Sequence, residues 1–243
     1  MEQTLQGKRA IVVGGSRGIG RAVVEALARA GAHVGFSYVR DAEAAQQVEE
    51  AVRASGGVAL AVRADSTRVE DVTALFEAVG RFGPPDIVVN VAGTTRFGPI
   101  ATTTDADLDA QIALNTRGAF FVLREAARRV ADGGRIVQVS TGGTASPSAG
   151  AGTYLATKAA GEQLAFALAR ELGPRGVTVN VVSPGLTETD GLVMPPPAVA
   201  HMVSQTPLGR LGQPADVADA VLFLVSDAGR WVTGHNLRAT GGL

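Results

Sequence analysis

Residues 9–31 read RAIVVGGSRGIGRAVVEALARAG, and this stretch decides the fold class. Its first residues form a short apolar run, which predicts a buried strand. A glycine-rich turn follows, and residues 21–30 then show a helical periodicity that Gly31 ends. Strand, glycine-rich turn and helix, in this order, are typical of a dinucleotide-binding unit. We therefore predict that the turn approaches a pyrophosphate, which the helix N-terminus attracts.

The glycine-rich turn has the spacing Gly-x-x-x-Gly-x-Gly. Glycines let the backbone turn tightly and bring it close to a phosphate. A glycine turn alone is a weak signal, since a purely structural strand–helix turn is the alternative, but the flanking strand and helix strengthen it. The predicted cofactor-binding residues of this turn are Gly14, Ser16, Arg17, Gly18, Ile19 and Gly20.

The end of the second predicted strand, residues 33–39, indicates which dinucleotide binds. An acidic residue at this end would hold the adenosine ribose, but the sequence has Tyr38 and Arg40 there. Asp41 comes later and suits the start of the next helix. Arg17 and Arg40 instead offer two guanidinium groups, which favour a 2′-phosphate and therefore NADP(H). The alternative is that both arginines are solvated surface charges.

Strand and helix patterns alternate along the whole chain. This alternation predicts an α/β protein: a single-domain, Rossmann-type, doubly wound parallel sheet with helices on both faces, spanning residues 1–243. Further strands are predicted at residues 58–62, 86–89, 135–139, 177–182 and 235–239. Further helices are predicted at residues 41–55, 68–79, 105–130, 154–172 and 214–226.

Small and polar residues follow several of these strands. Ligands of parallel sheets bind outside the carboxyl ends of the strands, so these residues are predicted cofactor contacts. They are Asp65, Ser66, Asn90, Ala92 and Gly93. Residues 186–206, which include three successive prolines, are predicted to form a lid over the substrate. Asn115 lies among apolar neighbours and is either a satisfied core residue or a site residue.

The segment from Ser140 to Lys158 carries the predicted chemistry. Tyr154 and Lys158 are four residues apart at the head of a helical pattern, so they share one helix face. A lysine ammonium beside a phenol favours the phenolate and brings the tyrosine pKa closer to neutral pH. A hydroxyl from Ser140 or Thr141 is placed to bind a substrate oxygen. On spacing alone, an ordinary helix start with a surface tyrosine and lysine fits equally.

Composition excludes several classes of function. The net charge of −1, without a long run of one sign, gives no indication of nucleic-acid binding. The chain has no cysteine, and its three histidines are scattered, so no metal site is predicted. The polar N-terminus lacks a signal-peptide pattern, and no apolar segment reaches membrane-spanning length. We therefore expect a cytoplasmic protein without a membrane segment.

The sequence resembles the short-chain dehydrogenase/reductase family over nearly its whole length. The motifs Gly14-x3-Gly18-x-Gly20, Asn90-x-Ala92-Gly93, Asn115, Tyr154-x3-Lys158 and Pro184-Gly185-x3-Thr189 occur in that family's order and spacing. The resemblance implies that Tyr154 is the general acid/base. It also implies that Lys158 lowers the tyrosine pKa and binds the nicotinamide ribose. Asn115 would hold a water in a proton relay, Asp65 would contact adenine and Asn90 would support the cofactor. In the loop after the strand at residues 177–182, Pro184, Gly185, Thr187 and Thr189 would bind the cofactor, with Thr189 in contact with the nicotinamide.

Two positions depart from the family pattern. Val91 stands where the family usually has a second asparagine. The family's catalytic serine lies thirteen residues before the tyrosine, which is the position of Thr141, and Ser140 is one residue too early. A threonine hydroxyl makes the same hydrogen bonds, but its methyl group crowds the site. Either Thr141 serves, or the loop shifts and Ser140 serves, or catalysis is impaired.

The resemblance implies an NADPH-dependent ketone reductase. Residues 207–210 and the tail through residue 242 are similar to bacterial 3-oxoacyl-(acyl carrier protein) reductases, so a 3-oxoacyl thioester is the first substrate expectation. Another ketone or a secondary alcohol is the second, and a catalytically weak NADP-binding scaffold or sensor is the third. If the substrate is carrier-linked, an acyl carrier protein is the expected partner, and a basic patch of Arg128, Arg129 and Arg175 is expected beside the entrance. The alternative is that these arginines are solvated charges at helix ends. Apolar residues Phe120, Phe121, Leu164 and Phe166, together with the resemblance, predict a homotetramer.

Overall fold

Seven parallel strands form one twisted sheet in the order β3-β2-β1-β4-β5-β6-β7. The computed structural model describes residues 4–81, 83–192 and 194–243. The order reverses between β1 and β4, which is the switch point where open parallel sheets bind dinucleotides. The strands are β1 (Arg9–Val13), β2 (His33–Tyr38), β3 (Val58–Arg63), β4 (Ile87–Asn90), β5 (Arg135–Val139), β6 (Thr178–Pro184) and β7 (Asn236–Ala239).

Helices connect the strands and cover both faces of the sheet. They are α1 (Gly18–Arg29), α2 (Ala42–Ala54), α3 (Val69–Gly80), α4 (Asp105–Gln111), α5 (Ala119–Arg129), α6 (Gly152–Leu172), α7 (Pro196–Gln205) and α8 (Pro214–Val225). The predicted fold class is confirmed, and the predicted strands and helices are found with bounds shifted by a few residues. None of the helices within the described ranges is long and apolar enough to span a bilayer.

The core has two halves because side chains alternate across a strand. Along β1, Ala10 and Val12 pack with α1, α2 and α8, whereas Ile11 and Val13 pack with α3, α5 and α6. Strands buried on both faces need continuous apolar runs, and β1 and β4 both have them. The sheet is therefore a rigid scaffold, and the functional loops begin at the ends of its strands.

The turn between β1 and α1 requires glycine for two separate reasons. Gly14 and Gly18 have positive φ angles of 86° and 52°, which side chains of L-residues rarely allow. A Cβ atom at Gly20 would lie 1.9 Å from the Gly14 carbonyl oxygen. The backbone of α1 therefore crosses directly over the end of β1, as a phosphate-binding turn requires.

Two segments differ from their predicted structure. The predicted helix at residues 105–130 is interrupted by a π-helical segment, Ile112–Gly118, between α4 and α5. The three prolines, predicted as loop, introduce α7: Pro195 is its N-cap and Pro196 begins it. Proline is tolerated in the first turn of a helix because the N–H groups there have no intrahelical partner.

Candidate active site

The predicted site residues gather at one edge of the sheet. Parallel strands end at the same edge, so the segments after β1 to β6 meet there. Residues 14–20 follow β1, Tyr38 and Arg40 end β2, and Asp65 and Ser66 follow β3. The Asn90, Ala92 and Gly93 motif ends β4, Ser140 and Thr141 follow β5, and Pro184, Gly185, Thr187 and Thr189 end β6 or follow it.

The start of α1 is open to an anion. Its N-cap residue, Arg17, makes no side-chain capping hydrogen bond, so the first N–H groups of the helix lack an internal acceptor. The preceding turn is held by the buried Ser37, whose Oγ accepts a hydrogen bond from Gly14 N at 2.9 Å. A pyrophosphate fits such a helix start because N–H groups and the helix dipole both favour negative charge.

Two glycines keep the path of a dinucleotide clear. A Cβ at Gly18 would lie 3.3 Å from Thr189 Cγ2, and one at Gly93 would lie 3.2 Å from Lys158 Nζ. The loops after β4 and β6 therefore close around the start of α1 and the lysine. The buried Asn90 Oδ1 has no hydrogen-bond partner within the described ranges, although Asn90 Nδ2 donates to Gln138. These features fit a nicotinamide dinucleotide.

Arg17 and Arg40 are the two basic side chains predicted to bind the adenosine end of the cofactor. Both are exposed, and neither side chain forms an ion pair or hydrogen bond with the part of the chain that the structure describes. Asp41 caps α2 by accepting a hydrogen bond from Ala44 N at 2.9 Å, as its sequence position indicated. Asp65 is used locally, because its Oδ1 accepts two hydrogen bonds from Thr67. Two unpaired guanidinium groups thus remain for a phosphate.

Lys158 is buried on the sheet-facing side of α6. Its Nζ donates a hydrogen bond to the Val139 carbonyl oxygen at 2.8 Å, at the end of β5. Burial lowers the pKa of Lys158 to about 8, and the carboxylate of Glu162 opposes that lowering. Below this pH the ammonium form prevails, so Lys158 is a positive charge fixed under the site at neutral pH.

Tyr154 lies one helical turn before Lys158. Burial raises the pKa of its phenol, and hydrogen bonds with Thr95 and Thr141 partly oppose the increase. The pKa of the phenol therefore lies above its ordinary value and not below it as predicted, because desolvation outweighs the contacts that favour the phenolate. The phenol is protonated at neutral pH and is positioned to donate a proton.

The structure separates the roles of the two adjacent hydroxyl residues. Thr141 has extended backbone angles, so its side chain and that of Ser140 point in different directions. The Thr141 hydroxyl reaches the Tyr154 phenol, whereas the buried Ser140 Oγ donates to Glu162 Oε1 at 2.5 Å. The geometry therefore places Thr141 beside the phenol and turns Ser140 away from it.

Asn115 uses its side chain to hold the loop after β4. Its Oδ1 accepts from Thr94 N at 2.8 Å, and its Nδ2 donates to the Thr94 carbonyl at 2.8 Å and to Thr157 Oγ1 at 3.0 Å. Asn115 lies in the π-helical segment, whose wider turn is often found at functional sites. The asparagine thus links α6 to the loop that carries Thr95.

Three residues of the site were not predicted from the sequence. Thr95 contacts the Tyr154 phenol, and the Phe97 ring packs edge-on against the Tyr154 ring at 5.8 Å between centroids. Both lie in an irregular loop that has no periodicity to mark them. Glu162 lies beside Lys158 and the loop after β5. Its spacing of four residues from Lys158 was a readable signal.

Comparisons with known proteins agree with this architecture. Residues 13–243 match a family model described as enoyl-(acyl carrier protein) reductase. Trihydroxynaphthalene reductase PfmaI of Pestalotiopsis fici is 36% identical over 253 residues, which cover 98% of this chain and 90% of that protein. A short chain dehydrogenase of Burkholderia cenocepacia, solved in complex with NADP, is 41% identical, with a TM-score of 0.94 and 98% of each chain covered.

This chain belongs to the short-chain dehydrogenase/reductase family. A further solved member, the angucycline C-6 ketoreductase LanV with bound NADP, is 38% identical, with a TM-score of 0.94. That match covers 100% of this chain and 97% of LanV. Family membership makes this chain an oxidoreductase by descent. The roles of the individual residues follow from their geometry.

The basic patch expected at the entrance lies on the wrong edge of this dehydrogenase/reductase fold. Arg175 follows α6, about 27 Å along the helix from Tyr154 at 1.5 Å per residue. Arg128 and Arg129 end α5 at the same amino edge of the sheet. All three are paired: Arg128 and Arg129 with Glu125, and Arg175 with Asp132. The patch therefore neither flanks the site nor offers free charge.

The two hydroxyl residues of this family member can be tested separately. Thr141→Val keeps the shape and removes the hydroxyl beside Tyr154, so kcat/KM for ketone reduction should fall by roughly 10²-fold or more. Ser140→Ala, the matched control, should cost much less, and Thr141→Ser should be tolerated. Steady-state NADPH oxidation by the folded variants measures the ranking. A severe Ser140→Ala with a mild Thr141→Val would contradict the assignment.

Proposed function

We propose that the protein is an NADPH-dependent reductase of ketones. The observation that carries the proposal is the placement of the Tyr154 phenol beside the Thr141 hydroxyl, with the buried Lys158 ammonium one helical turn away and held by the Val139 carbonyl. This arrangement lies at the carboxyl edge of the sheet, beside the open start of α1. A proton donor with a raised pKa suits the reductive direction, because the acid must carry its proton at neutral pH.

Each polar group of the site has a distinct task in this mechanism. The start of α1 and the guanidinium groups of Arg17 and Arg40 would hold NADPH, which supplies the hydride for the carbonyl carbon. Thr141 and Tyr154 bind the ketone oxygen between their hydroxyl groups. Tyr154 donates its proton to that oxygen as negative charge develops there. Thr95, Thr141 and the positive Lys158 then stabilise the phenolate that remains.

Two alternatives stay open beside this proposal. Oxidation of a secondary alcohol is the reverse reaction and requires the Tyr154 phenolate to accept a proton. The raised pKa of Tyr154 leaves little phenolate at neutral pH, so it favours reduction over oxidation. A catalytically weak NADP-binding scaffold or sensor was suggested by threonine at the serine position. The contact between Thr141 and Tyr154 supports a working hydroxyl at that position and thus favours the enzyme.

The choice of NADPH over NADH is the first test. Arg17 and Arg40 are exposed and unpaired in the described parts of the chain, so both are free to bind a 2′-phosphate. NADPH should bind at least about tenfold more tightly than NADH, about 1.4 kcal/mol. Replacing both arginines by Ala should remove most of the preference, whereas Arg170→Ala, an exposed arginine at the far end of α6, should not. Equal affinities in the parent protein, measured by fluorescence titration, would refute the proposal.

The substrate that fits this site best has an apolar, aromatic body. Phe97, which packs against Tyr154, is 67% exposed, and Ile100, which lies against the start of α6 at Gly152, is 73% exposed. A hydrogen bond from Gly98 N to the Gly150 carbonyl, at 2.7 Å, ties their segment to the turn before α6. Large apolar side chains left exposed at a site gain free energy when a ligand covers them. The relative named trihydroxynaphthalene reductase and the one named angucycline ketoreductase support the same class.

A 3-oxoacyl thioester remains the second substrate candidate. The match to a family model described as enoyl-(acyl carrier protein) reductase supports this candidate. The ion-paired arginines at the opposite edge no longer support an acyl carrier protein as partner. Free and carrier-linked 3-oxoacyl thioesters are therefore to be tested as competing substrates beside the ketones.

A substrate panel tests both the reaction and the substrate class. NADPH oxidation should be strongest with bicyclic aromatic ketones and weaker with small aliphatic ketones and 3-oxoacyl thioesters. Phe97→Ala should reduce kcat/KM for the aromatic ketones by roughly tenfold, on the scale of an aromatic contact, and change the aliphatic ketones little. Phe223→Ala, which truncates an exposed phenylalanine on α8, is the matched control. No turnover of any ketone would refute the reductase, and equal losses on both ketone classes would refute only the role of Phe97.

Two further features are proposed for the working enzyme. Residues 186–206 would cover the substrate, and α7 within them has no buried residue although Val199, Met202 and Val203 form an apolar stripe. A homotetramer stays a prediction. Of the residues that suggested it, Phe121, Leu164 and Phe166 pack against the core, and Phe120 is 43% exposed.

A further inference from the structure

Glu162 is a buried acidic side chain that the proposed mechanism has not used. It lies on α6 four residues after Lys158 and is 8% exposed. A carboxylate removed from water is costly unless hydrogen bonds and an opposite charge compensate. Both kinds of compensation are present here, and both come from the candidate active site.

The hydrogen bonds to Glu162 come from the turn after β5. Its Oε1 accepts one from Ser140 Oγ at 2.5 Å and one from Thr144 Oγ1 at 2.6 Å. Thr141, whose hydroxyl meets Tyr154, lies between these two donors in the sequence. One carboxylate oxygen therefore fastens the turn on both sides of the residue that is placed to contact substrate. This accounts for the direction of the Ser140 side chain, which points to α6 and away from Tyr154.

The opposite charge is the ammonium of Lys158. Burial disfavours this ammonium, and Glu162 is the charged group that acts against burial. The elements packed around Lys158 face it with neutral groups: the Val139 carbonyl from β5, Gly93 from the loop after β4 and the Asn115 amide from the π-helical segment. Tyr154 is the other titratable group on this part of α6. The charged residues of α4, the π-helical segment and α5 point to solvent, form ion pairs or, for Arg124, lie over the rings of Phe120 and Phe121. These residues are Asp105, Asp107, Asp109, Arg117, Arg124, Glu125, Arg128 and Arg129.

We propose that Glu162 is a positioning residue that keeps Lys158 in its ammonium form and fixes the turn so that Thr141 faces Tyr154. The catalytic meaning of this inference rests on the proposed ketone reduction, but the charge of Lys158 can be measured without turnover. A neutral lysine would leave the phenolate without its positive neighbour as the proton departs. Glu162 thus extends to higher pH the range over which Lys158 is positively charged.

The sequence makes a direct measurement practical, because it contains two lysines, Lys8 and Lys158. In protein labelled with 13C at lysine Cε, the Lys8→Arg variant leaves Lys158 as the single signal. A pH titration followed by NMR then gives the Lys158 midpoint. Glu162→Gln keeps an oxygen that accepts both hydrogen bonds and removes the charge, so the midpoint should fall by about one pH unit. Ser140→Ala removes one hydrogen bond, keeps the charge and should leave the midpoint unchanged.

The pH dependence of turnover is the second measurement. In the parent protein kcat/KM for ketone reduction should fall as the pH rises through about 8, where the ammonium is lost. In Glu162→Gln the fall should begin at lower pH, a shift that a purely structural role would not produce. If Glu162→Gln does not fold, as judged by circular dichroism, Glu162→Met removes the same charge without adding an amide donor. A Lys158 midpoint that stays the same or rises in the folded variant overturns the proposal, whether or not the protein reduces ketones.

Discussion

A buried ammonium group constrains the whole active edge of this protein. The hydrogen bond from Lys158 Nζ to the Val139 carbonyl, at 2.8 Å, joins the first turns of α6 to the end of β5. An unpaired charge in this position would cost several kcal/mol. The acceptor at Val139 and the carboxylate of Glu162 therefore have to stay in place. Tyr154 and Thr141 take their positions from these same two elements.

The parallel sheet makes such an arrangement possible. All described strands end at one edge, so the glycine turn after β1, the small residues after β4 and the hydroxyl turn after β5 come together without long excursions. Close approach of backbones is the recurring requirement, most clearly where α1 crosses the end of β1 at Gly20. Binding of the cofactor and placement of the proton donor thus depend on the same local geometry.

The sequence predicted the features that arise from local pattern. The alternation of apolar strand runs with helical patterns predicted the sheet, and the glycine spacing predicted the tight turn between β1 and α1. It did not predict features that depend on burial or tertiary contact. The pKa of Tyr154 is raised where the sequence predicted that it is lowered, because residue spacing does not show desolvation. Thr95 and Phe97 were missed because they lie in a loop without periodicity. Arg128 and Arg175 were predicted at the wrong edge of the sheet, although the length of α6 already separated Arg175 from Tyr154.

The central claim is that the Tyr154 phenol gives its proton to a ketone oxygen. The most direct measurement compares the parent protein with Tyr154→Phe, which removes the hydroxyl and keeps the ring. NADPH binding, followed by fluorescence, should be nearly unchanged, while kcat for an aromatic ketone should fall by roughly 10³-fold, within the range of a lost general acid. Turnover within tenfold of the parent, with binding intact, would contradict the account.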